Sequence, residues 1–358
     1  MIKALVLKLK DIITIFFSVI LIFFIFFCVL LKFNSEGIKF DFESIGLFAA
    51  RLYMPKTFKI KIPEVIEKNP FACVSNISEE DERERKRRKE KHIINNEIIN
   101  RDVKKCKITE TKFNSSGTQC DNFYVKNNTP KEINFKYYLN KPLDLKIGKK
   151  GPAVLIFHTH TTEGYLKKDD KEISEDYYPR TQNNEENVIA VGEEIVRVLK
   201  EKGINCVHDK TIHDYPNYNN SYVRSSATVR KNLKKNPSIK IIVDVHRDSL
   251  GDFETGKIKP VIECGGQKTA QIMIVSGSGF LNWGKNLSLA LKLQKVCEEN
   301  CKGITRPLSV KKARYNQNLN PGSLLVEVGS DVNTVLEAKR AGAKFAQSLA
   351  KIVEKNRR

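Results

Sequence analysis

The eight cysteines of this chain form no C-x-x-C pair, which argues against a cysteine zinc knuckle. H-E-x-x-H, the helix-borne zinc motif of many metallopeptidases, is missing as well. No internal repeat of solenoid period is present. Acid is in short supply: 42 acidic residues face 62 basic ones, a formal net charge of +20. Such a balance favours anionic neighbours but says little about fold. Asp81–His92 is the densest charged run, and it interleaves both signs with no aromatics nearby. It reads as a solvated helix with Glu–Arg pairs, and no nucleic-acid partner is expected.

What the chain does have begins with Ile12–Leu31, an almost unbroken apolar run whose polar members are Thr14 and Ser18. About 20 apolar residues suffice to cross a bilayer as a helix. Lys3, Lys8 and Lys10 precede the run, which favours an N-terminus inside and the bulk of the chain outside. No small-x-small cleavage site follows, so a retained anchor is preferred over a removed signal peptide. Cys28 lacks the small neighbours of a lipoprotein site. The outside polyanions are then lipid head groups and cell-wall polymers. That compartment permits a disulfide among Cys73, Cys106 and Cys120, with the pairing open. Cys297 and Cys301 read as two cysteines on one face of a helix.

The expected organisation is a leader at 1–11, a transmembrane helix at 12–31, an extended juxtamembrane stalk at 32–147 and a catalytic domain at 148–358. Pro55, Pro63 and Pro70 discourage long helices in the stalk. From Gly148 onward apolar periodicity becomes regular. Strands are expected at Ala153–Phe157, Ile204–Val207, Ile241–Val245, Gln271–Val275 and Leu324–Val328. Helices are expected at Asn187–Lys202, Tyr222–Lys235, Trp283–Cys301 and Thr334–Glu354. Gly203 stands where helices commonly stop. The alternation implies an α/β fold, a mainly parallel sheet with helices on both faces.

Three of the expected strands end in chemistry. Val154–Phe157 runs into His158-Thr159-His160, with Glu163 just beyond. Ile241–Val245 runs into His246-Arg247-Asp248, and Leu324–Val326 into Glu327. Open α/β sheets bind ligands at the carboxyl ends of their strands. Imidazoles and carboxylates there suit a zinc ion with one position left for water. His158 and His246 are the expected zinc histidines. His158 and His160 would share a face if the strand continued, or be split by a turn. Glu327, on an apolar strand end, is a candidate general base with a raised pKa, although a structural carboxylate reads equally well.

The strings HTHTTEGY, HDKTIHDYPNYNNSYVRS, DVHRDS and NPGSLLVEVGSDVNT resemble the stage II sporulation protein P family. That family is similar to zinc-dependent N-acetylmuramoyl-L-alanine amidases. The resemblance runs from His158 to the C-terminus and includes the anchor layout. It implies an amidase-like fold with one Zn2+. It implies peptidoglycan as substrate, cut at the amide between muramic acid and the stem peptide, with a second, endopeptidase activity on peptide bridges. It further implies action at the sporulation septum during engulfment, beside a septal lytic transglycosylase and a membrane scaffold protein. Position by position, His158 and His246 match the zinc histidines and Glu327 the catalytic glutamate. For the third ligand Glu163 is favoured, with Glu185 and Glu186 as competitors. His160, Arg247 and Asp248 are expected behind the metal or against substrate. The other reading is a non-catalytic septal scaffold that binds peptidoglycan and recruits hydrolases.

Overall fold

The computed structural model of the chain describes residues 103–358. The expected membrane span and most of the stalk lie outside the described residues. Among those described, no helix is long and apolar enough to cross a membrane.

The strands are β1 Lys105–Thr111, β2 Thr118–Cys120, β3 Phe123–Asn128, β4 Val154–Phe157, β5 Glu172–Ser174, β6 Cys206–His208 and β7 Ile241–Asp248. They continue with β8 Gly251–Asp252, β9 Gly256–Glu263, β10 Lys268–Ala270, β11 Ile272–Gly277, β12 Leu308–Lys311 and β13 Ser323–Ser330. The helices are α1 Phe135–Asn140, α2 Val188–Glu201, α3 Ser221–Lys235, α4 Trp283–Asn300 and α5 Val335–Lys355.

Eight strands form the main sheet, in the order β2-β3-β12-β11-β13-β7-β4-β6. Its centre, β13-β7-β4-β6, is parallel. β11 runs antiparallel to β13, and β2 antiparallel to β3, so the sheet is mixed. β4 is buried throughout because both its faces are covered. Val154 and Ile156 pack into the large core with α2 and α5, whereas Leu155 and Phe157 join Val229 of α3. Helices therefore do cover both faces.

Local signals set the helix ends. The Asn187 side chain accepts from Ile189 N and starts α2, and a Thr334–Glu337 capping box starts α5. Trp283–Asn300 stops one residue before Cys301, whose sulfur pairs with Cys264. The cysteine expectation is thus corrected for Cys106, Cys120 and Cys301, while Cys73 lies outside the described residues. Cys106 and Cys120 are free, and the bond ties the end of α4 to the turn after β9.

The stalk expectation is corrected over its last third. β1 pairs with β9 and β3 with β12, so the chain from Lys105 onward belongs to the folded unit. β1 also anchors a second sheet, β10-β9-β1-β5, with β8 beside β9. A small apolar cluster of Cys106, Ile108, Leu166, Ile173 and Val332 lies beneath it.

Candidate active site

The strand register brings the site together. On parallel neighbours β13 and β7, Glu327 is paired with His246. Both lie on the face toward α3, opposite the side that carries Val243, Val245, Val326 and Val328 into the large core. The turn after β4 then delivers His160 and Glu163 to the same place. The His246 ring sits edge-on to the His160 ring, centroids 5.3 Å apart. Glu163 Oε2 lies 3.4 Å from His246 Nδ1 and accepts the Arg247 backbone N–H at 3.1 Å. All four side chains except the partly covered Glu327 are buried.

His158 is not among them. β-strand alternation carries it to the α2 face, next after Ile156 on that side. Its Nδ1–H donates to Val245 O at 2.9 Å, so its Nε2 accepts, 2.9 Å from His208 Nε2. Gly192 of α2 makes room for this pair. A Cβ there would stand 2.6 Å from His208 Nε2 and 2.8 Å from His158 Nε2. The turn at Thr159–Thr162 breaks the alternation and re-aims His160. The His158 carbonyl holds that turn, accepting from Thr161 Oγ1 at 3.0 Å and His213 Nδ1 at 2.7 Å.

Each site group has a support. Asp244, two residues before His246 on the same strand face, puts Oδ1 2.9 Å from His246 Nε2, off the N–H axis. Asp244 itself is fixed by Thr159 N at 2.8 Å and Thr159 Oγ1 at 2.6 Å. Tyr218 stacks on His160 at 4.5 Å, and its hydroxyl lies 3.2 Å from His160 Nε2. Arg180 covers the outer face of Tyr218 and donates to Asp214 Oδ2 at 2.8 Å. Arg247 is a structural clamp, donating to Gly164 O at 3.1 Å and Pro179 O at 2.7 Å. Asp248 accepts from Arg306 Nη1 at 2.8 Å. Glu185 is exposed, and Glu186 is turned toward Lys167 and Asn183. Sequence reasoning did not find Tyr218, Arg180, Tyr222 or the support from Asp244. The tyrosine- and asparagine-rich string at 215–222 was the signal for the two tyrosines, and the strand-end position of Asp244 was the signal for that carboxylate.

The electrostatics separate the two glutamates. Burial pushes the Glu327 carboxyl up to about 8, with Glu163 and Asp248 adding to the rise against His246. Burial also acts on Glu163, but His246, Arg247 and His160 outweigh it and hold that carboxylate low. Burial disfavours charge on His246 too, yet Asp244 and Glu163 raise its pKa well above the ordinary value. Two carboxylates around one imidazole attract a cation.

Among the described residues no three His, Cys, Asp or Glu side chains are closed into a metal cage. The donor set nonetheless fits zinc. His160 Nδ1 is buried without a partner. Ligands about 2.0–2.1 Å from a tetrahedral zinc lie roughly 3.3–3.4 Å from one another, which matches the 3.4 Å between Glu163 Oε2 and His246 Nδ1. A carboxylate behind a metal-bound imidazole, as Asp244 stands behind His246, is the usual arrangement.

A mixed α/β sheet with imidazoles and two carboxyls of well separated pKa at its carboxyl edge defines an open-sheet protein with a candidate hydrolytic centre. The family model of stage II sporulation protein P (SpoIIP) matches residues 54–350, and the chain belongs to that family. The stage II sporulation protein P of Bacillus subtilis (strain 168) is 30% identical over 201 residues. The match covers 53% of this chain and 48% of that protein, so the chain spans about half the relative's length. Among solved structures, the N-acetylmuramoyl-L-alanine amidase AmiC2 of Nostoc punctiforme aligns with 58% of this chain and 97% of its own, at 12% identity and a TM-score of 0.35. The catalytic domain of CwlV, an amidase from Bacillus (Paenibacillus) polymyxa var. colistinus, aligns with 56% and 98%, at 12% identity and 0.35.

Proposed function

We propose that this chain is a membrane-anchored, zinc-dependent peptidoglycan hydrolase of sporulation. It cuts the amide between muramic acid and the stem peptide, with endopeptidase activity on peptide bridges. The observation that carries the reading is the pairing of Glu327 with His246 across β13 and β7, with Glu163 and His160 closing on the same point.

His160, Glu163 and His246 hold the zinc in this reading, and His158 does not. Zinc, when bound, supplies Lewis acidity and makes water a competent nucleophile near neutral pH. Glu327 moves the proton. A carboxyl with a pKa of about 8 exchanges protons readily at neutral pH, which suits taking one from attacking water and giving it to the departing amine. Asp244 orients His246, Tyr218 orients His160, and the Arg247 backbone N–H holds Glu163.

The segment Ile12–Leu31 anchors the chain, with the catalytic domain on the outer face. The Cys264–Cys301 bond supports an oxidising compartment. The sporulation septum, the septal lytic transglycosylase and the membrane scaffold protein belong to the same reading.

The test is release of stem peptides from purified peptidoglycan by the full chain in detergent, followed by mass spectrometry. Glu327→Gln keeps size and zinc but should lose turnover by about 10² or more. A Glu327→Gln protein with wild-type turnover refutes the assignment, and an inert wild-type chain refutes the enzyme.

A further inference from the structure

One strained loop next to the site is unexplained by the roles above. Tyr315 and Asn316 are consecutive residues in the left-handed region, with φ of 48° and 55°. That conformation is costly for a bulky residue, and such strain collects where function demands it.

The loop is held there from three sides. The Asn316 amide donates to Tyr222 O at 2.8 Å and Ser225 Oγ at 3.0 Å, tying the loop to α3. Buried Gln317 bonds β11 twice, accepting from Gly277 N and donating to Val275 O, each at 2.8 Å. At Gly277 the loop backbone comes so close that a Cβ would stand 2.4 Å from Ala313 O. These contacts fix the backbone around Tyr315 while leaving its side chain half-buried.

The Tyr315 ring leads to the site through ring contacts. It lies 6.0 Å from the Tyr222 ring, which lies 5.6 Å from His160, itself 5.3 Å from His246. Burial and the nearby Glu327 carboxylate both raise the Tyr315 phenol, so it remains a proton-bearing donor at neutral pH.

Resting on the hydrolase reading, we propose that Tyr315 is a catalytic residue that donates its phenolic O–H to the carbonyl oxygen of the scissile amide as that oxygen gains charge. Water adds to the carbonyl carbon and the C–N bond breaks. The water proton passes through Glu327 to the amine, which leaves with it. The carbonyl fragment leaves as a carboxylic acid. The Tyr315 proton stays on its own oxygen throughout. A donor held in place beside developing charge needs little reorganisation during the reaction, and the pinned loop fixes the backbone that carries Tyr315.

The experiment uses the full chain in detergent, a soluble muropeptide and a phosphinic analogue of its scissile amide. Tyr315→Phe keeps the ring and its packing. It should lower kcat by about 10²–10³, as loss of one such donor does elsewhere, with KM within about twofold and zinc content unchanged. Affinity for the phosphinic analogue should fall with kcat/KM. Asn316→Ala, which frees the loop while leaving the phenol, should move kcat in the same direction. An unchanged kcat in Tyr315→Phe overturns the proposal, and so does a loss confined to KM. If the wild-type chain turns over and Glu327→Gln is dead while Tyr315→Phe is fully active, the tyrosine role alone fails. A wild-type chain without turnover removes the hydrolase reading and this role with it.

Discussion

His158 and His160 stand two positions apart in the chain, and the turn between them sends one to each side of the sheet. Sequence alternation alone could not separate them, because the turn that re-aims His160 is set by Asp244 and His213 contacts from distant segments. His246 and Glu327 were legible because each directly follows an apolar run, and Glu163 because it lies just beyond the histidines that follow β4. The histidines give a discriminating measurement. His160→Ala should weaken zinc binding by about tenfold or more in competition with a chelator, given what metal ligands and their supports contribute. His158→Ala should keep zinc and lose stability, because it leaves the Val245 carbonyl and the His208 ring without their partner. Zinc lost in the His158 variant and kept in the His160 variant would reverse the assignment.

At the scale of elements, α2 crosses β4 and β6 directly over the His158–His208 pair. Burial holds the His208 ring down to about 3 and the His158 ring down to about 4. An imidazole in an unfolded chain titrates near 6.5. Between those values the unfolded chain binds more protons, so stability rises with pH through that window. It is fully present above about 6.5 and declines as pH falls toward the folded values. Urea midpoints at pH 7.5 and pH 5 should therefore differ, and His208→Gln should reduce the difference by on the order of 1 kcal/mol. An identical pH dependence in the variant would show that the pair does not carry it. Elements with continuous apolar runs or helical spacing were plain in the sequence: β4, β7, β13, α2, α4 and α5. β1 and β9 were not. β1 alternates lysine with Cys106 and Ile108, a pattern that also suits a polar linker. β9 contains Pro260 and buries Lys259, both unusual inside a strand.

Lys259 links the parts of the whole molecule. Its side chain is fully buried, 2.6 Å from Asp169 Oδ1 and 3.7 Å from Glu337 Oε1. It thus joins the second sheet to the capping box of α5. Removing Lys259 leaves the buried Glu337 carboxylate without its cation, whereas the more exposed Asp169 keeps Lys268. Lys259→Ala should cost about 3 kcal/mol or more, read as a Tm lowered by roughly 6–12 °C in calorimetry. An unchanged Tm would mean that Glu337 is satisfied by Asn333 and Thr334 alone.

Glu163, His246 and Glu327 reach the site from three separate stretches of chain, the first from the turn after β4 and the other two on the parallel strands β7 and β13. Joining parallel strands closes long loops before any contact repays them, so such pairings form slowly. Competence is therefore a late kinetic event. A newly made chain can gain helix and collapse while its nucleophile-activating groups are still far apart. In refolding from urea, turnover should return in a slower phase than far-ultraviolet circular dichroism; coincident phases would show that the site assembles with the first structure. For a protein proposed to cut the wall around its own cell, that delay separates synthesis from attack in time.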